Sequence, residues 1–203
     1  MAWTGQAFSV GQILTAAQMT NLQADITALA NADSGSPSIV DDALVSDFNY
    51  RYITGGSLSG STTSYTGAFS DAYDLYMITL SSVYGSSGTP QMSMRIGQSG
   101  SYKSSAGDYR NDGVSDTLMT VNTAIASTSS ARMCAHIFVQ NPGTSAGHKA
   151  ILTTSFLANS ASTREDRSGF YEGNQSAITD IQFLLATGTF SGGVCRIYGV
   201  EGA

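Results

Sequence analysis

Carboxylates in pairs, two histidines and two cysteines are the groups in this 203-residue chain that could do chemistry. Paired acids can act as proton donor and acceptor across a glycosidic bond, and the candidates are Asp71/Asp74, Asp108/Asp112 and Glu165/Asp166. Each pair lies in or beside a polar turn cluster, where acids cap and solvate the backbone, so turn chemistry accounts for them more simply than catalysis. His136 and His148 read as a strand residue and a strand-start residue rather than as base or ligand. Cys134 and Cys195 read as two buried thiols behaving as small apolar residues. No Cys/His spacing suits a metal, and no nucleophile elbow, zinc-protease, phosphate-loop or dinucleotide motif is present. The stretch Gly188–Gly192 places a serine beside glycine without elbow spacing and reads as a turn. We therefore expect no enzyme, no metal and no cofactor.

One short stretch suits recognition better than reaction. Tyr109, Arg110, Asn111 and Asp112 combine an aromatic face, a guanidinium fork and amide and carboxylate acceptors. Such groups stack on sugar rings and hydrogen-bond to their hydroxyls, which makes this the expected glycan site. A plain turn with solvated side chains is the simpler competing account. The mixed charges of Arg164–Arg167 read as a solvated loop.

The elements that must carry these residues follow from composition and pattern. Hydrophobic residues make up 41% of the chain, enough for a core, while charged residues make up only 12%. Ser and Thr supply about a quarter of the chain, so hydroxyls must do much of the work of wetting the surface. Net charge is −6, with nine Lys and Arg and no basic cluster, which excludes a phosphate-tracking stripe for nucleic acid. No apolar run approaches the ~20 residues that span a bilayer. The amino end has neither a basic start nor a continuous apolar stretch, so no signal peptide is expected and folding in a cytoplasm is.

The clearest local signal is a helix start. Thr15 fits an N-cap, Gln18 completes a capping box, and Leu14 and Met19 are placed for a hydrophobic staple. Met19, Leu22, Ile26 and Leu29 then recur at steps of three, four and three, an a/d seam that ends before Ser34-Gly35-Ser36-Pro37. Two heptads are too short to be stable alone, so the seam must pack on its own β domain, on sister helices or on another protein; the Ser/Gly/Pro linker that follows favours association, with Met19, Leu22, Ile26 and Leu29 as oligomerisation residues. Trp3 and Phe8, in a stretch without helical period, either cover their own helix or insert into a partner, and are the expected docking side chains. The organisation expected is a docking and trimerisation segment over 1–33, a junction over 34–56 and a β domain over 57–203.

Within that domain, strand-like runs recur between polar turn clusters. The expected runs are 73–83, 91–97, 116–121, 131–140, 149–158, 168–172, 178–187 and 194–200. Tyr76, Ile78 and Leu80 share a face, as do Met92, Met94 and Ile96, and Met133, Ala135, Ile137 and Val139. The pattern predicts a mainly β fold: an antiparallel, jelly-roll-like β-sandwich preceded by one short α-helix.

Two stretches resemble a known family. Trp3 followed by Gly11-Gln12-Ile13-Leu14-Thr15-Ala16-Ala17-Gln18-Met19 is similar to the opening of tailed-bacteriophage virion proteins, in which a short helix follows such a phrase. Gly192-Gly193-Val194-Cys195-Arg196-Ile197-Tyr198-Gly199-Val200 resembles the closing strand of phage fibre-like β domains. The resemblance implies a tail-fibre-like virion component, a homotrimer that docks by its amino end and turns its β domain toward a host-surface glycan or another virion protein. It implies a short fibre or fibre tip, since no long shaft is present. A capsid decoration protein without receptor binding is the alternative, and a carbohydrate-active enzyme a third reading.

Overall fold

The computed structural model describes residues 50–145, 147–158, 163–171 and 176–200. The expected helix with Met19, Leu22, Ile26 and Leu29, the docking side chains Trp3 and Phe8, and the junction up to residue 49 lie outside the described residues.

The described chain is mainly β. Thirteen strands follow in order: β1 (Tyr50–Ser57), β2 (Thr62–Tyr65), β3 (Leu75–Gly85), β4 (Met92–Gln98), β5 (Ser101–Tyr102), β6 (Tyr109–Asn111), β7 (Val114–Asp116), β8 (Met119–Asn122), β9 (Arg132–Gln140), β10 (Lys149–Ala158), β11 (Thr163–Tyr171), β12 (Asp180–Leu185) and β13 (Phe190–Val200). They form two antiparallel sheets. The eight-stranded sheet runs β1-β13-β3-β9-β10-β11-β6-β7. The five-stranded sheet runs β2-β12-β4-β5, with β8 also paired to β4.

Period-two alternation explains why these runs are strands and where the core sits. Tyr76, Ile78 and Leu80 of β3, Met133, Ile137 and Val139 of β9 and Ile197 of β13 are buried on one side. Met92, Met94 and Ile96 of β4 and Ile181, Phe183 and Leu185 of β12 are buried on the other, within the same cluster. Each such side chain contributes about 1.5–3 kcal/mol when fully buried. A polar pin joins the sheets inside: Asn122 of β8 donates to the hydroxyl of Ser155 on β10 at 2.9 Å.

Two boundaries differ from expectation. Residues 50–56, expected in the junction, form most of β1, which pairs along β13 from Tyr50↔Val200 to Ser57↔Val194 with a bulge after Tyr52. Gly55 and Gly56 looked like a break, yet they lie inside the strand. A Cβ at Gly55 would collide with the Cys195 carbonyl, so glycine is what lets the two backbones approach. Arg164–Arg167, expected as a loop, lies in β11, where Arg164 pairs with Asp166 at 2.9 Å and Arg167 with Asp112 at 2.9 Å. Its polar side chains sit on an outlying strand, which is why the sequence there carries no hydrophobic alternation.

Turns follow local chemistry. Asp112-Gly113 closes the β6–β7 hairpin with both residues at positive φ (48° and 90°), the arrangement a two-residue Asp-Gly turn requires. Asp180 opens β12 from a buried position and fastens two other loops, accepting from the Gly67 amide at 2.9 Å and the Gly100 amide at 2.5 Å.

Candidate functional site

Each sheet has one face in the shared core and one face turned outward, and the two outward faces differ in chemistry. On the eight-stranded sheet the register aligns outward side chains in rows across the strands. One row runs Tyr52–Tyr198–Met77–Phe138–Leu152 through β1, β13, β3, β9 and β10. The row beside it joins Tyr50, Val200 and Leu75, and Ala150 and Phe170 extend the same end of the sheet. At about 4.8 Å per strand, the band is roughly 25 Å wide.

Its side chains are apolar and largely uncovered. Tyr50 is 51% exposed, Tyr52 56%, Leu152 48% and Phe156 45%, values at which burial gives little reason to keep such residues. Tyr52 and Tyr198 meet edge to face at 5.8 Å, and His148 tilts against Phe170 at 5.3 Å. A depression of about 340 Å³ opens among Leu75, Phe138, Gln140, Ala150 and Leu152. A second, about 200 Å³, lies among Cys134, His136, Thr154 and Phe156.

Charge on this face is one-sided. Arg132, Arg164 and Arg196 point outward from β9, β11 and β13, against one carboxylate, Asp166. Arg132 is held by the Ser129 carbonyl at 2.7 Å and Arg164 by Asp166.

The outward face of the five-stranded sheet is polar and internally hydrogen-bonded. The Gln91 amide donates to Ser93 at 3.0 Å and to Thr120 at 3.1 Å, both buried, and the Gln182 amide donates to Ser64 at 3.1 Å. Arg95 stands opposite Gln182 in the register, its Nε shielded from solvent and without a hydrogen-bond partner among the described residues.

The stretch expected to bind sugar is differently disposed. Tyr109 is fully buried, its ring beside Tyr171 at 5.7 Å and its hydroxyl taking the Ile96 amide at 2.8 Å. Burial pushes its phenol well above the ordinary range, and no ring face is left for a sugar. Asn111 donates to Leu118 at 2.7 Å and to Asp116 at 3.0 Å, so its amide is spent on the hairpin. Asp112 accepts from the Ser168 amide and from Arg167, and these two bonds hold its carboxyl below the usual range. Arg110 reaches the Gly113 carbonyl at 3.4 Å. The four residues are neighbours in sequence but build a hairpin and its anchor. They do not form a shared surface.

The other candidate groups are similarly occupied. Asp108 accepts from the Ser105 amide at 2.7 Å, Glu165 binds Thr123, and Asp166 binds Arg164. Among the described residues no three His, Cys, Asp or Glu side chains are grouped as a metal site. Cys195 is buried, and burial pushes its thiol up to about 12. Cys134, expected to be buried, is exposed, because β9 turns its even-numbered side chains outward.

Sequence reasoning placed the inner faces and did not assign the outward ones. The available signal was the second apolar set on the same strands, Leu75 and Met77 opposite Tyr76, and Leu152 and Phe156 opposite Ile151 and Leu157. A strand apolar on both sides within an antiparallel sheet asks for a partner on each. Neither a protein-family model nor a curated protein matches this chain.

Proposed function

We propose that this chain is a structural component of a tailed-bacteriophage virion, tail-fibre-like, that assembles through protein contacts and carries no catalytic centre. The observation that carries the reading is the outward apolar band with its basic rim. A freely diffusing monomer gains nothing from displaying Tyr50, Tyr52 and Leu152 together, with Phe156 further along the same face. Few charges and a hydroxyl-rich exterior suit close packing in an assembly.

The strand order supports a jelly-roll reading. β1-β13-β3-β9 forms one four-strand core and β2-β12-β4-β8 the other, and successive strands pass between them in two interlocked Greek keys. On this reading β10–β11 and β6–β7 are additions that widen the first sheet. Jelly rolls are common in viral coat and lectin domains.

The reading keeps the amino-terminal segment as the trimerisation and particle-docking element, through Met19, Leu22, Ile26 and Leu29 with Trp3 and Phe8. It moves any host-glycan contact away from Tyr109–Asp112, which are committed internally, to the polar face of the five-stranded sheet. The apolar band also favours the alternative, a capsid decoration protein without a receptor, because such a band suits protein better than sugar. Binding of the purified chain to isolated host envelopes and to particles lacking it decides between them. Particles alone indicate decoration, envelopes indicate attachment, and binding to neither removes the virion reading.

A further inference from the structure

We propose that the apolar band of the eight-stranded sheet is a docking surface for the acidic, apolar-striped segment Thr15–Asp33 of a second copy of this chain. The inference rests on the assembly reading above and names what covers the face.

Charge selects the occupant. All nine Lys and Arg lie at residue 51 or beyond, whereas Thr15–Asp33 holds Asp25 and Asp33 and no basic residue. Arg196 lies in the row next to the band, and Arg164, paired with Asp166, and Arg132 stand further along the same face. An acidic segment is therefore drawn to this face, and the like charge of two such faces opposes pairing them directly. Apolar pattern points the same way: Met19, Leu22, Ile26 and Leu29 recur at steps of three and four, giving one apolar stripe. The depressions beside Leu152 and beside Phe156 offer that stripe apolar places to seat side chains.

The test uses the full chain. Its mass in solution, by light scattering across a concentration series, is expected to be a multiple of 21.1 kDa. Leu152→Asp and Leu22→Asp should each weaken assembly on the order of thirtyfold, the loss of one well-buried anchor. Arg196→Glu should weaken it less, with recovery on adding Asp25→Lys. Leu152 lies on an outward face, and Phe156→Asp repeats the measurement should Leu152→Asp fail to fold. Ala24→Cys then tests the route. Mixed nitrogen-14 and nitrogen-15 copies, oxidised together, should form a disulfide between the thiol introduced at position 24 and Cys134, joining light and heavy peptides. Such bonds found only within one isotope class would overturn the second-copy assignment. Assembly abolished by Leu22→Asp and untouched by both face variants would overturn docking on the band and leave the assembly reading standing. A single-chain mass at every concentration would overturn both.

Discussion

The two outward faces are products of the same rule, yet they differ. On the five-stranded sheet the alternate positions are Ser64, Gln182, Ser93 and Gln91, and they bond to one another along and across strands. On the eight-stranded sheet the equivalent positions are Tyr52, Met77, Phe138 and Leu152, of which only Tyr52 carries a polar group, and Tyr52 and Leu152 are exposed. The inner positions tell how the chain folds. The outer ones bear on what it meets: one face is largely hydrogen-bonded to itself, and the other is the face for which a partner is proposed.

The strongest way to break that contrast is to truncate side chains of the common core and of the outward band. Ile137→Ala and Phe183→Ala remove fully buried groups from the common core, and each should cost about 2–5 kcal/mol in urea unfolding. Leu152→Ala, half-exposed on the band, should cost under about 1 kcal/mol when measured at concentrations that keep the chain monomeric. A Leu152→Ala cost equal to that of Ile137→Ala would mean that the band belongs to the fold and needs no partner.

A smaller effect sharpens the polar side. Burial opposes ionisation of Asp180, but the Gly100, Gly67 and Thr179 donors outweigh it and hold the carboxyl below its ordinary range. A depressed folded value contributes stability that is complete above the unfolded value near 4 and is lost as pH falls through the folded value. Asp180→Asn should therefore cost about 1–3 kcal/mol at neutral pH. The gap between the two proteins should narrow as pH falls below about 4. A gap that stays constant from neutral to acid pH would show that the charge does not tie those loops.

Legibility in the sequence follows the same division. The long strands β3, β4, β9 and β10 were readable because their inner residues alternate cleanly, and β10 was placed at Lys149–Ala158 to the residue. Short or polar strands were not: β2, β5, β6 and β7 have two to four residues each, too few for a period to register. β1 was hidden by Gly55-Gly56, a turn signal locally and a close-approach requirement in the pairing. The sugar-site expectation depended on direction. Composition showed that Tyr109, Arg110, Asn111 and Asp112 could bind a ring, but only the β6–β11 pairing buries Tyr109 against Tyr171. The apolar band was illegible for the opposite reason. Its members are scattered over five strands far apart in sequence, and register alone brings them into rows.

The two cysteines give the gentlest probe of the comparison, because labelling them need not disturb the fold. Cys134 is exposed on the outward face beside His136 and Phe156, while Cys195 sits in the core with its thiol pushed up to about 12 by burial. Thiolate is the reactive form, so a maleimide at neutral pH should modify Cys134 at once in the monomer and spare Cys195 until unfolding. Docking on the band should then slow the Cys134 reaction in proportion to the fraction assembled, with Cys195 unchanged as the internal reference. Equal reactivity of the two thiols in the folded chain would put Cys134 in the core and reverse the facing of β9. Reaction of Cys134 at the monomer rate in a fully assembled sample would show that the partner of this face sits elsewhere along the sheet, since the residue shares its depression with Phe156.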